Sequence, residues 1–395
     1  MVTAATRDPL LETVDRIEPV LRQHAADAES RRRLSVEAVR AMREAGLYGL
    51  WTPRAYGGLE VDPMRGNRVF EEVARIDSAT GWNLALSVSG ALFPAFLDER
   101  AAPEIYGDGS AVLAVAFFPP GEAVPEQEGF RLKSHTPFGS GSHHCDWFFG
   151  LAQVAEPGAM QGPGRDAAPW LVAVPSRDIE IVENWSTLGM RGTGSHDVVI
   201  RNAFVPRHRA APMRTPEQRE RLPKGFEGPL YRCTVWPATA ALSSVALGIA
   251  RAALDELLAL AARKTPSYTS SPLRERPMAQ HQTARAEAKL GAARAYLHEA
   301  LREIWECALE GSFVTMPHKK KLQLAATHAQ EAAAEAVDLV HATVGTSGIR
   351  EGQRFERHFR DAHVVTQHAY ISSSRYESVG RLLFGLESDW GFLAY

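Results

Sequence analysis

The segment Trp185-Ser-Thr-Leu-Gly-Met-Arg-Gly-Thr-Gly-Ser-His-Asp197 groups more chemically useful residues than any other stretch of the chain. Gly189, Gly192 and Gly194 interleave with Thr193 and Ser195, just before a β-rich run that ends at Val205-Pro206. Glycine lets backbone N–H groups approach a flat or anionic ligand, and the hydroxyls add movable donors. Taken alone, the pattern is equally that of a tight turn between two strands. A second group lies upstream, in Pro137-Phe-Gly-Ser-Gly-Ser-His-His-Cys-Asp-Trp147. Adjacent strand side chains point to opposite faces, so at most one of His143 and His144 can face a pocket, and His144 is favoured. No Glu or Cys stands at ligand spacing from this pair, so a metal site is not expected.

The whole chain bounds the chemistry. It has 395 residues, 45% hydrophobic and 23% charged, enough for two or three packed units. Net charge is −3, and the richest basic run, His318-Lys-Lys-Lys321, reads as a solvated helix face rather than a nucleic-acid patch. Cys145, Cys233 and Cys307 are too scattered for a disulfide framework or a C-x-x-C site. The first residues lack a basic-then-apolar signal pattern, and no apolar run reaches a membrane span, so a cytoplasmic protein is expected.

The elements that must position these groups fall into three blocks. Residues 1–110 read as helical: Leu10, Leu11, Val14, Ile17, Val20 and Leu21 form one stripe, and Ser35 caps a helix that Gly46 closes. Helices are also expected over 67–76 and from Ser78 onward, with a loop at Pro53–Gly58. Residues 111–230 read as short strands at 112–118, 129–133, 147–154, 170–174, 179–182 and 197–205, with a loop at 157–164; regular turns point to a small barrel or sandwich. Residues 231–395 read as four long helices, 242–262, 277–309, 320–345 and 355–384, hence a bundle. The fold class is α+β and mostly α.

That order of blocks, with several motifs, resembles the acyl-CoA dehydrogenase fold and, within it, the two-component flavin-dependent monooxygenases. That branch includes the 4-hydroxyphenylacetate hydroxylase oxygenases and dibenzothiophene monooxygenase. The motifs are Ser78-Ala-Thr-Gly-Trp82, Ala116-Phe-Phe-Pro-Pro-Gly-Glu-Ala123, the segment 137–147, the opening loop, Val344-Gly-Thr-Ser-Gly348, and Arg357-His-Phe-Arg-Asp361 followed by His368. The resemblance implies an N-terminal helical domain, a central β-barrel domain and a C-terminal four-helix bundle, assembled as a homotetramer. It implies a reduced flavin (FMNH2 or FADH2) delivered by a separate flavin reductase. Reaction with O2 would form a flavin C4a-hydroperoxide that oxygenates an aromatic, heteroaromatic or amine small molecule. No G-x-G-x-x-G opens a helix after a strand, as fits reduction by a partner.

Site residues follow from the same resemblance. Phe117, Phe118, Thr136, Ser140, Gly192, Thr193, Gly194, Ser195 and Arg263 would contact the flavin, with Arg274 or Arg276 as alternatives to Arg263. Gly345, Thr346 and Ser347 would meet a neighbouring subunit's cofactor. Trp82 and Phe93 would line the substrate cavity. Ser140 would bond flavin N5 or the C4 carbonyl, and holding N5–H in a dry pocket should slow loss of hydrogen peroxide. His368, an imidazole that ordinarily titrates near neutrality, would deprotonate the substrate or protonate a leaving group; Ser140 and His144 would assist. The familiar dehydrogenases carry a glutamate base in the window Val364–Ile371, where this chain has none; the next carboxylate is Glu377. Some dehydrogenases hold the base on another helix. Alternative readings are therefore an acyl-CoA dehydrogenase or related FAD oxidase, an N-hydroxylase or nitrososynthase, and a catalytically silent flavin-fold binding protein. Two departures from the branch are Thr136 in place of a Trp before Pro137, and Lys-Thr-Pro-Ser rather than Phe-Gly after Arg263.

Overall fold

The computed structural model describes residues 7–154, 169–213 and 222–395. The expected loop at 157–164 lies outside them. The N-terminal helices are α1 (Pro9–Arg31), α2 (Val36–Glu44), α3 (Pro63–Ile76), α4 (Ser78–Gly90) and α5 (Ala101–Tyr106). Their starts are chemically marked. Asp8, Ser35, Asp62 and Asp77 each accept a first-turn backbone N–H, and Pro stands in the first turn of α1 and α3. Helix α3 starts four residues before the expected Asn67 because Asp62-Pro63 already supplies cap and first turn. Helix α4 is buried almost all round, so it runs through the core rather than over it.

Among the described residues eight strands follow: β1 (Leu113–Val115), β2 (Gly121–Glu126), β3 (Gly129–Thr136), β4 (Trp147–Val154), β5 (Trp170–Pro175), β6 (Glu180–Val182), β7 (Asp197–Pro206) and β8 (Ala210–Pro212). They form one mixed sheet in the order β6-β7-β3-β2-β4-β5-β8, with β1 parallel to β4. Strands β2 and β8 were not read from the sequence: Pro125 and the flanking glutamates make β2 look like a turn, and β8 is three residues long. Alternation decides which face goes where. Phe148, Ala152, Val172 and Val174 enter the sheet's own core, whereas Phe149, Leu151, Leu171 and Ala173 join the helical core. A register shift opposite Leu132–Ser134 lets Val198 and Ile200, then Ala203 and Val205, all face the sheet's core.

The C-terminal helices are α6 (Pro229–Arg232), α7 (Trp236–Ala261), α8 (Pro277–Leu309), α9 (Met316–Val344), α10 (Arg354–Val365) and α11 (Ser374–Leu383). One hydrophobic core joins the N-terminal helices to this bundle. The expected fourth helix is broken. The Thr366 hydroxyl donates to the His363 carbonyl at 2.6 Å and closes α10, and Ser372–Ser374 open α11. His368 thus sits in the turn between two helices. Among the described residues, no helix is long and apolar enough to cross a membrane.

Candidate functional site

Three segments far apart in sequence meet at the N-terminus of α4. Buried Asp361 of α10 accepts from the Met190 backbone N–H at 2.5 Å with one oxygen and from the Ser78 hydroxyl with the other. Arg357, one helical turn earlier, pairs with Asp77, the α4 cap, and lies 3.5 Å from Asp361. Arg360 donates to the Leu188 carbonyl at 2.7 Å. The loop Trp185–Asp197 is thereby pinned between α4 and α10.

The loop's glycines serve this pinning. A Cβ on Gly189 would stand 2.5 Å from the Arg360 carbonyl carbon, and one on Gly192 would stand 3.0 Å from the Ala79 Cβ. Gly194 adopts φ +57°, against the backbone of Arg32 and Arg33. A Cβ on Gly192 would thus run into α1 and α4, and one on Gly194 into Arg32 and Arg33 just after α1; neither glycine is among the residues lining the cavity below. The hydroxyl residues Thr193 and Ser195 do line that cavity.

Those hydroxyls form a chain of fixed direction. Trp82 Nε1–H donates to Ser140 Oγ (3.3 Å), Ser140 Oγ and Ser195 Oγ lie 2.6 Å apart, and Ser195 Oγ and Thr193 Oγ1 lie 2.6 Å apart. Thr193 Oγ1 is also 2.8 Å from the Met190 carbonyl, which can only accept. Each hydroxyl has one hydrogen. Thr193 spends its hydrogen on Met190, so Ser195 donates to Thr193 and Ser140 donates to Ser195. What Ser140 can still offer the cavity is a lone pair.

His368 stands beside this chain, its ring 5.3 Å from that of Trp82 in an edge-to-face contact. Desolvation in the protein interior, with no compensating charge, pulls its pKa down to about 4. The imidazole is neutral at pH 7, not titrating near neutrality as expected. Its Nδ1 accepts from the Tyr370 backbone N–H at 3.3 Å, so the proton is on Nε2 and the free ring nitrogen is a donor.

Two cavities adjoin. The larger, about 490 Å³, is lined by the hydroxyl residues Ser140, Thr193 and Ser195 and by Trp82, Trp185 and Met190. The smaller, about 190 Å³, is lined by Phe93, Phe117, Phe118, Thr239, Tyr370 and Phe392 among others. Leu86, Val115, Phe138, His368 and Ala369 line both. Phe93 meets Phe117 edge to face at 5.0 Å. Trp82 belongs to the larger cavity, so of the two expected substrate residues only Phe93 lines the smaller one. Thr239 is a site residue the sequence reading missed, because a Thr inside an Ala-rich helix carries no local signal.

Other expected residues lie elsewhere. Thr136 is buried in β3 opposite Val198 and lines neither cavity. His143 and His144 occupy a 3₁₀ turn, Ser142–His144, instead of a strand. His144 Nε2 is 2.9 Å from the Leu34 carbonyl and lines neither cavity, so it is not the pocket-facing histidine. His143 does find a carboxylate: Glu183 bridges it at 2.8 Å to His196 at 3.1 Å, although the three are scattered in sequence. His196 Nδ1 accepts from the Trp185 N–H at 2.9 Å, which puts its proton on Nε2, facing Glu183, where a metal would need a lone pair. Arg263 is exposed at the end of α7; next to it, Lys264 Nζ holds the Val344 carbonyl (2.6 Å) and Ser347 Oγ (2.8 Å). Gly345, Thr346 and Ser347 form a 3₁₀ turn after α9, outside both cavity linings of the same chain.

Comparison with known proteins gives this geometry a family. The acyl-CoA dehydrogenase N-terminal domain model matches residues 8–101, and the C-terminal domain model matches residues 240–373. Indole-3-acetate monooxygenase of Pseudomonas putida is 33% identical over 379 residues, covering 94% of this chain and 92% of that protein. The flavin-dependent monooxygenase oxygenase subunit HsaA of Rhodococcus jostii RHA1 is 24% identical, covering 95% of this chain and 98% of that one. The structure of XiaF from a Streptomyces species, in complex with FADH2 and glycerol, matches with a TM-score of 0.89 at 27% identity over 96% of each chain. The chain belongs to the acyl-CoA dehydrogenase fold family, in its branch of flavin-dependent monooxygenases.

Proposed function

We propose that this chain is the oxygenase component of a two-component monooxygenase. Reduced flavin (FMNH2 or FADH2) from a separate reductase occupies the larger cavity, and an aromatic substrate occupies the smaller one. When bound, the flavin supplies the activation of O2: one oxygen atom goes to the substrate, and the other leaves as water with the two hydrogens of the reduced flavin. The observation that carries this reading is the directed hydroxyl chain ending at Ser140, inside a cavity that shares a wall with an aromatic one. A lone pair at Ser140 suits the N5–H of a reduced flavin. It does not suit the C4 carbonyl, which is itself an acceptor, so the geometry favours the first of the two contacts expected for Ser140.

The chain's own residues have distinct tasks in this reading. Trp82, Ser195 and Thr193 hold Ser140 as an acceptor. His368, neutral and on the shared wall, offers a proton donor between the two ligands. The aromatic walls exclude water, which strengthens each remaining hydrogen bond. Dehydrogenation of a thioester would need a carboxylate base. Among the described residues lining the two cavities there is no Asp or Glu, which favours oxygenation. The apolar character of the smaller cavity also argues against an amino sugar.

The test is a single anaerobic titration followed by oxygen. Purified chain is mixed with FMNH2 or FADH2, then exposed to ¹⁸O-labelled O2 with indole present. One labelled oxygen in the product is expected. A tightly held FAD that is bleached by an acyl-CoA without oxygen refutes the proposal.

A further inference from the structure

We propose that the substrate is an uncharged aromatic of one or two fused rings carrying an N–H or O–H, seated in the smaller cavity with Thr239 as its polar partner. This rests on the reading of that cavity as the substrate site.

Size sets the first limit. An engineered cavity of about 150 Å³ lined by apolar side chains holds benzene, so 190 Å³ admits a ring system somewhat larger than benzene. Phe93, Phe117, Tyr370 and Phe392 supply flat walls, the surroundings in which aromatic rings pack edge to face or offset.

Charge sets the second. The polar side chains of the lining are Ser89, Thr239, His368 and Tyr370, and none is ionised: burial pulls His368 down and pushes the Tyr370 phenol up. A carboxylate moved here would lose its water and find no cation among the described lining residues. The Pseudomonas relative is named for indole-3-acetate, which carries such a carboxylate. This cavity offers such a carboxylate no counter-charge among its described lining residues.

Hydrogen bonding sets the third. Thr239 lies on α7, 1% exposed, and its hydroxyl is buried with no hydrogen-bond partner. Leaving a buried hydroxyl unpaired is costly, and a polar ligand would relieve that cost. Ser89 already donates to the Ala85 carbonyl at 2.6 Å, so towards the cavity it can only accept. An acceptor and a hydroxyl free to accept or donate, both in one lining, match a ligand N–H or O–H.

The experiment is calorimetric binding to the full chain, without flavin and again with reduced flavin under anaerobic conditions. The probes are indole, indene (the same shape without N–H) and indole-3-acetate. Indole should bind at least about tenfold more tightly than indole-3-acetate. Thr239→Val should weaken indole by roughly five- to tenfold, the worth of one hydrogen bond, and leave indene within about twofold. The free variant should melt no lower than wild type, because the deleted hydroxyl has no partner to lose. Equal or tighter binding of indole-3-acetate, an equal loss of indole and indene in Thr239→Val, or no aromatic binding in either flavin state overturns the proposal. Flavin affinity, measured by absorbance on the same sample, reports separately on the monooxygenase reading.

Discussion

Ser195→Ala probes the redox preference of the larger cavity. In the native chain Ser140 gives its hydrogen to Ser195, 2.6 Å away, and presents a lone pair to the cavity proposed for the flavin. Reduced flavin donates N5–H to that lone pair, worth about 1 kcal/mol. Oxidised flavin brings a second lone pair to the same place, leaving a buried acceptor unpaired at a cost of ~1–3 kcal/mol. The sum, about 3 kcal/mol, is a preference for reduced over oxidised flavin on the order of 100-fold. Removing the Ser195 hydroxyl frees the Ser140 hydrogen to turn into the cavity and serve either redox state. The ratio of oxidised to reduced dissociation constants should therefore fall by roughly ten- to a hundredfold, mainly through tighter binding of oxidised flavin. Thr193→Val acts one link further away with the same sign. The assay is titration of each redox state in an anaerobic cuvette, followed by protein and flavin fluorescence. A ratio that stays within twofold of wild type in Ser195→Ala, or a wild type that prefers oxidised flavin, refutes the directed chain.

Three further outcomes are expected. His368→Ala should retain flavin binding and lose most product formation, since it deletes the Nε2–H donor on the wall between the cavities; unchanged single-turnover yield removes His368 from the reaction. His368 also sets an acid limit on stability. Its folded pKa of about 4 lies below the unfolded value, so the unfolded chain binds the extra proton first and stability falls as pH drops from about 6.5 through 4. The full loss is about 3 kcal/mol, and His368→Leu should remove this component from urea unfolding curves at pH 7 and pH 5. Asp361→Asn should destabilise the chain by ~3 kcal/mol or more by leaving Arg357 short of a counter-charge. Thermal melting reads that loss, and an unchanged midpoint contradicts the pinning role given to Asp361.

Much of the architecture was legible because its signals are local. Capped helix starts, the run Pro277–Leu309 and strand Trp147–Val154 can all be read from period, turn residues and caps. The break before α11 was not, because helix-forming sequence continues on both sides and the interruption comes from Thr366 and three consecutive serines. At the site, Ser140, Thr193, Ser195 and His368 were reached through the resemblance, and the structure brings all four to one cavity. The close packing of Gly192 and Gly194 was not legible, because a glycine needed for packing looks the same in sequence as one needed for a ligand. His144 was misread because the 3₁₀ turn removed the strand alternation on which its orientation depended. The partnership of Glu183 with His143 and His196, and the unpaired hydroxyl of Thr239, depend on tertiary contacts that no local pattern announces.

The two oxygens of Asp361 reach back 171 residues to Met190 and 283 residues to Ser78. A ribosome therefore finishes the loop and the helix long before the residue that clasps them exists. Until α10 emerges, the Met190 amide and the Ser78 hydroxyl lack the carboxylate that joins them, and the larger cavity lacks the part of its wall made by Val364 and Val365. Cofactor capture thus becomes a late event in biosynthesis. A chain truncated before residue 354 should lack a binding-competent loop even though every residue of that loop has been made.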